Sequence, residues 1–183
     1  MSKKISKIGF LLLALFLAVA VFAPVIAPYD PYSSIAKPYM KPSAEHLLGT
    51  NDIGQDIFSE VVYGARTSMA IGFLSAALSL VLGTILGMLA GWYGGVIDRM
   101  VEKLIAFFLT IPYIPSIIIL SALTKPGPMT TSIVLGVMSW SGTARVVRSQ
   151  TISIKTREYI QTIRAMGASD GYIFRKHLIR NIF

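Results

Sequence analysis

Four stretches without a single Asp, Glu, Lys or Arg constrain this chain more than any other feature: 8–27, a second within the charge-free run 67–97, 104–123 and roughly 127–144. A bilayer core of about 30 Å takes about 20 residues of helix to cross, and only a helix satisfies its own backbone where no water can. Of the 183 residues, 54% are hydrophobic and 14% charged, a surplus of apolar surface that needs lipid to cover it. The expected fold is therefore an all-α integral membrane protein with four transmembrane helices.

Lys3, Lys4 and Lys7 before the first run also fit a secretory signal cleaved near Ala23 or Ala27, but a full 20-residue run with prolines at its end is long for such a segment. With the N-terminus in the cytoplasm, Arg99, Lys103 and the basic tail 145–180 fall inside, and only Lys37, Lys41, Arg66 and Lys125 fall outside. Asp30, Glu45, Asp52, Asp56 and Glu60 leave the outer segment near neutral. The chain is thus expected as 1–27, cytoplasmic N-terminus and first span; 28–66, extracytoplasmic; and 67–183, the remaining bundle. Arg145 and Arg148 read as inside anchors at a helix end. The net charge of +8 is spread between apolar runs rather than gathered on one module, which argues against nucleic acid.

Within the spans, Gly83 and Gly87 have the four-residue spacing that lets helix backbones approach, placing the second span inside a bundle. Pro112 and Pro115 predict a kink in the third. Cysteine is absent and His46 and His177 are far apart in sequence, so neither a disulfide framework nor a metal site is indicated.

Ion-coupled transporters carry ionisable groups inside the membrane, and these spans have none. Uphill transport would need another energy source, yet the chain lacks a GxxxxGK[ST] phosphate loop, so it is not an ATPase. An ATPase subunit would need a docking surface, and the tail offers one: helix-like segments at 156–166 and 170–179, joined by Gly167, Ala168 and Ser169. Gly167 suits a left-handed C-cap and Ser169 an N-cap. Ile160, Ile163 and Met166 give the first helix an apolar side, and Phe174 and Leu178 the second. By physics alone such a pair fits anionic headgroups as well as a protein.

Three blocks, in order, resemble the permease family of ABC importers for dipeptides, oligopeptides and nickel, specifically the second of its two permease subunits. In 46–68, Gly49, Thr50, Gly54, Asp56, Ser59, Gly64, Arg66 and Ser68 match the family's outer-face pattern, while Asn51, Gln55 and Glu60 replace its Asp, Arg and Arg and so remove expected ion pairs. Block 87–112 is similar to its Gly-Gly-x-x-Asp turn and helix, with Ala106 at a commonly acidic position. Block 140–170 is similar throughout and runs into the family's ATPase-coupling loop, here 156–181, to which Gln161, Arg164, Ala165, Met166, Gly167, Ala168, Ser169 and Asp170 correspond. The Glu-Ala-Ala triplet is Gln161, Thr162, Ile163 here, and the later Leu-Pro is Ile179, Arg180, a divergence closer to nickel-type members.

The resemblance implies a type I importer permease of six spans in the cytoplasmic (inner) membrane, so that a chain stopping at Phe183 holds four and is incomplete. It implies no cofactor on this chain, with ATP used by two separate ATP-binding subunits. It also implies a second homologous permease and an extracytoplasmic substrate-binding protein, with Arg164 or Arg157 pairing with acidic groups of the ATPase. Two readings of other classes are a small channel, supported by the charge-free spans, and a membrane-embedded hydrolase built from His46, Asp56, Ser59 and Glu60.

Overall fold

The structure is a computed structural model that describes residues 2–182. Every regular element is helical, and the only β-type pairing among the described residues is an isolated bridge between Thr50 and Asp56. In chain order the helices are α1 (Ser2–Ile26), α2 (Ile57–Tyr93), α3 (Gly95–Thr110), α4 (Tyr113–Leu123), α5 (Pro128–Lys155), α6 (Glu158–Ala165) and α7 (Asp170–Ile173). A π-helical turn, Phe174–Leu178, then leads into α8 (Ile179–Ile182). The chain divides into two compact units, Met1–Phe73 and Leu74–Phe183, with the division inside α2.

In the first unit, α1 presents Phe10, Leu11, Leu15, Val21 and Phe22 outward, as a helix surrounded by lipid would. Pro24 lies in its last turn and the helix ends two residues later. Residues 28–56 have no helix and are held by side chain to backbone bonds. Thr50 Oγ1 donates to the Lys37 carbonyl at 2.6 Å and accepts from the Met40 N–H at 2.9 Å. Gly49 and Gly54 have φ of +77° and +80°, and a Cβ on either would lie 2.2 or 2.1 Å from the carbonyl oxygen of Met40 or Ala36. Only glycine fits both the conformation and the space.

In the second unit α5 is the centre, carrying a buried stripe that includes Val134, Met138, Trp140, Ala144, Val147, Thr151 and Ile154. Gly83, Gly87 and Gly91 let α2 lie directly on it: a Cβ at these positions would stand 2.6 Å from Thr143 Cβ, 2.6 Å from the Ala144 carbonyl oxygen and 2.8 Å from that of Arg148. Gly136 returns the fit against Leu78. The expected small-residue interface is present and one turn longer than Gly83 and Gly87 predicted. Its other faces are open, with Phe73, Leu74, Leu80, Val81 and Ile85 exposed, so α2 lies at the edge of the described bundle instead of inside it.

Two helices are long and apolar enough to cross a membrane, residues 6–26 and 57–93, and a third span exists if the bent pair α3 and α4 counts as one. The kink expected in the third span is a sharp bend, α3 and α4 meeting at 89°, and the helix starts earlier than expected, at Gly95 instead of residue 104. Ile111 is extended at φ −70° and ψ 131° because Pro112 excludes the helical region for the residue before it. Pro115 sits in the first turn of α4, where the missing N–H is not needed. Thr110 Oγ1 closes the end of α3 by donating to the carbonyls of Ala106 at 2.8 Å and Phe107 at 2.9 Å. The fourth expected span lies within α5, which is long enough to cross a membrane but less apolar than α2. Such a helix can keep Ser132 and Thr151 buried because its own carbonyls, of Pro128 and Val147, accept from their hydroxyls at 2.7 Å each.

Candidate functional site: the glycine elbow and the outer-face motif

The elbow begins where α5 ends at Lys155. In α6, Ile160 is buried and Ile163 packs beside it, but Met166 is not on the same apolar side as expected: it is the helix's last cap residue and is 82% exposed. Gly167 then takes φ +86°, its N–H donating to the Arg164 carbonyl at 3.0 Å, while the Ala168 N–H reaches the Ile163 carbonyl at 3.3 Å. This double bond pattern, with Ala168 and Ile163 in one core, is a Schellman stop. Ser169 caps α7, its Oγ accepting from the Tyr172 N–H at 3.4 Å. A Cβ at Gly167 would meet nothing within 4 Å, so the tip formed by Met166 and Gly167 is open.

The elbow shares a core with the long helices. Trp92, at the end of α2, is buried among Met88, Val147, Ile154, Ile160, Ile173 and Leu178. Its ring meets Phe174 edge-on at 5.3 Å and 90°. Ile173 and Leu178 are both 0% exposed although five residues apart. An α-helix would point such a pair about 140° apart, and the π turn brings them to one side. The Arg164 guanidinium lies over Trp92 at 5.6 Å, so it folds back toward α2 instead of projecting from the tip. Gln161 donates to the Thr156 carbonyl at 3.3 Å, and Ala165 is exposed. Arg148 is more than an anchor: it forks onto Asp98 of α3, Nε–Oδ1 2.5 Å and Nη2–Oδ2 2.8 Å, and reaches Glu102 at 3.5 Å. Arg145 is exposed and makes no ion pair among the described residues.

In the outer segment, Asp56 caps α2. Its Oδ2 accepts from the Ser59 N–H and from the Ser59 hydroxyl, each at 2.8 Å, and its Oδ1 lies 3.0 Å from His46 Nδ1. Burial pushes the Asp56 pKa up, but the Ser59 N–H, the Ser59 hydroxyl and His46 outweigh it, and the carboxyl is held below its ordinary value. The hydrolase reading fails on this geometry. A hydrolytic triad places histidine between acid and nucleophile, whereas here the acid stands between histidine and serine, and Ser59 spends its proton on Asp56. Glu60 turns away to Asn51. Gly64 and Ser68 line a groove of about 480 Å³ with Gln55 and Tyr63, and Arg66 is exposed.

Asn51, Gln55 and Glu60, read as three separate departures, meet in space. Asn51 Nδ2 donates to Gln55 Oε1 at 2.9 Å and to Glu60 Oε1 at 3.2 Å, and Asn51 Oδ1 accepts from the N–H groups of Ile53 and Gln55. Hydrogen bonds from the Asn51 amide stand where ion pairs were expected, so the three replacements form one connected set.

Residues 83–183, more than half the chain, match the family described as "Binding-protein-dependent transport system inner membrane component". The chain belongs to that family. Residues 1–47 match the "N-terminal TM domain of oligopeptide transport permease C", which covers α1 and accords with a span. Among relatives of this inner membrane component, the dipeptide transport system permease protein of Bacillus subtilis (strain 168) is 35% identical over 97% of this chain and 56% of its own length. The oligopeptide transport system permease protein of the same organism is 32% identical over 98% and 59%. A glutathione transport system permease protein of Pectobacterium atrosepticum is 33% identical over 92% and 57%. The chain spans somewhat more than half the length of these relatives. It is a multi-pass, all-α membrane protein of the transport permease class.

Proposed function

We propose that this inner membrane component is the permease subunit of an ABC importer for di- or oligopeptides, coupled to separate ATPases through the elbow at 156–181. The observation that carries this reading is the joint at Trp92: α6, the π turn, α2 and α5 share one packed core, so force applied at the tip reaches the long helices without a flexible link. The open surface around Gly167, with Met166 projecting beside it, suits insertion into a cleft of an ATPase. Arg157, exposed and free of carboxylates among the described residues, suits an acidic rim. Arg164, committed to Trp92, is a poorer choice for that role.

In this reading a second homologous permease completes the pathway, an extracytoplasmic binding protein delivers solute to the side carrying 28–56, and ATP is consumed by two partner subunits. The N-terminus and the elbow lie on the cytoplasmic side. The relatives' names favour peptide-like solutes over nickel. The test is uptake of labelled dipeptide and of nickel by proteoliposomes holding the complete transporter assembled on this subunit. ATP-dependent dipeptide uptake that fails with Gly167→Val, while the variant still inserts, supports the assignment. Uptake of nickel but not peptide overturns the solute, and full uptake by the variant overturns the lever.

A further inference from the structure

A cavity of about 400 Å³ lies beside the elbow, between the end of α2, the end of α5 and α6. Trp92 and Ile152 form its apolar side, and Lys155, Thr156, Gln161 and Arg164 its polar side. The lining holds two cations and no carboxylate, and neither cation makes an ion pair among the described residues. Lys155 Nζ donates to the Trp92 carbonyl and stands 5.9 Å from the indole centroid, while Arg164 stands 5.6 Å from it. The two cationic heads are thereby fixed over one ring, with hydrogen-bond donors left over. Acidic residues stay out of the cavity: Glu158 of α6 is exposed and outside the lining, and Asp98 and Glu102 of α3 are engaged with Arg148.

Depth decides what fits such a cavity. Trp92 and Tyr93 end the span 57–93 and lie near the close of the charge-free run 67–97, where tryptophan and tyrosine mark the headgroup level of a bilayer. Basic pockets between helix ends at that level take anionic headgroups. We propose that this cavity is a binding site for one phospholipid with a net negative headgroup, its phosphate held by Lys155 and Arg164 and its acyl chains running along Ile152 and the open face of α2. The site is independent of whether an ATPase docks, because it lies between α6 and the ends of α2 and α5 and not at the Met166–Gly167 tip. A bound anionic lipid would offset part of the pair's charge and brace the joint between elbow and span.

The test uses the full chain with Trp140→Phe, so that Trp92 is the remaining tryptophan, in bilayers of phosphatidylcholine and phosphatidylglycerol with either lipid brominated on its acyl chains. Brominated phosphatidylglycerol is expected to quench Trp92 in excess of brominated phosphatidylcholine at equal mole fraction, with a preference of about fivefold per cation. The preference should fall to none in Lys155→Gln/Arg164→Gln, with helical content unchanged by circular dichroism. Equal quenching by the two lipids, or a preference that survives the double substitution, overturns the proposal. Displacement by millimolar inorganic phosphate would make the cavity a general anion site and also overturn it. So would loss of ATPase co-purification in Arg164→Gln with quenching unchanged, which would assign the cation to a protein carboxylate.

Discussion

Asp56 shows how much one side chain can hold: it caps α2, fixes Ser59 and orients His46. Asp56→Ala removes a cap worth about 1 kcal/mol and strands buried donors at about 1–3 kcal/mol more. The outer segment is expected to become protease-sensitive at a temperature where the parent is resistant. Because the folded Asp56 pKa lies below the unfolded value of about 3.9, its stabilisation is complete above that pH and is lost as pH falls through the folded pKa. Limited proteolysis across a falling pH series should therefore show the segment loosening at acid pH in the parent, and no such step in Asp56→Asn. Gly167 is a different case, since its side-chain direction is empty and only its φ forbids substitution. Gly167→Ala should cost about 1–2 kcal/mol of elbow stability without touching a neighbour, read as a lower melting temperature of the detergent-purified chain.

At the scale of elements, the contact of α2 with α5 depends on three glycines in register with Thr143, Ala144, Val147 and Thr151. Gly87→Leu places a side chain where a Cβ already stands 2.6 Å from the Ala144 carbonyl oxygen, and should destabilise the pair by about 3 kcal/mol or more. Gly64→Leu, on the same helix with nothing within 4 Å, is the matched control and should leave thermal stability within about 0.5 kcal/mol. Because leucine is the better helix former, propensity alone would stabilise both variants, and a Gly87→Leu variant no less stable than Gly64→Leu would show that the close contact with α5 does not matter. The sequence announced Gly83 and Gly87 by their spacing, which Gly91 continues, but not the answering Gly136, because a spacing on one helix says nothing of what the facing helix brings. The 89° bend at Ile111 and Pro112 was legible as a break, not as an angle.

For the whole molecule, orientation is the property most open to direct measurement, because the chain has no cysteine and any single one introduced reports without background. A cysteine at position 166, in the exposed tip, should react with a membrane-impermeant maleimide only after the cytoplasmic side is opened, and one at position 39 should react in intact cells. Labelling of position 166 from outside would invert the topology and remove the ATPase from the elbow.

The sequence by itself determined that this chain is helical and lives in a membrane, since hydrocarbon leaves the backbone no other choice. Its local chemistry also placed the elbow, because a left-handed glycine followed by a serine cap needs no distant partner. Only the tertiary structure decided which groups from far apart meet. Trp92, some seventy residues before the elbow, had no local signal, nor did the fork of Arg148 onto Asp98 across fifty residues. The Asn51, Gln55 and Glu60 set looked like three losses until the turn at Gly54 folded them together. Spacing rules act within one helix or one turn, whereas these contacts are fixed by how separate helices pack, and that is set by the shape of both faces at once.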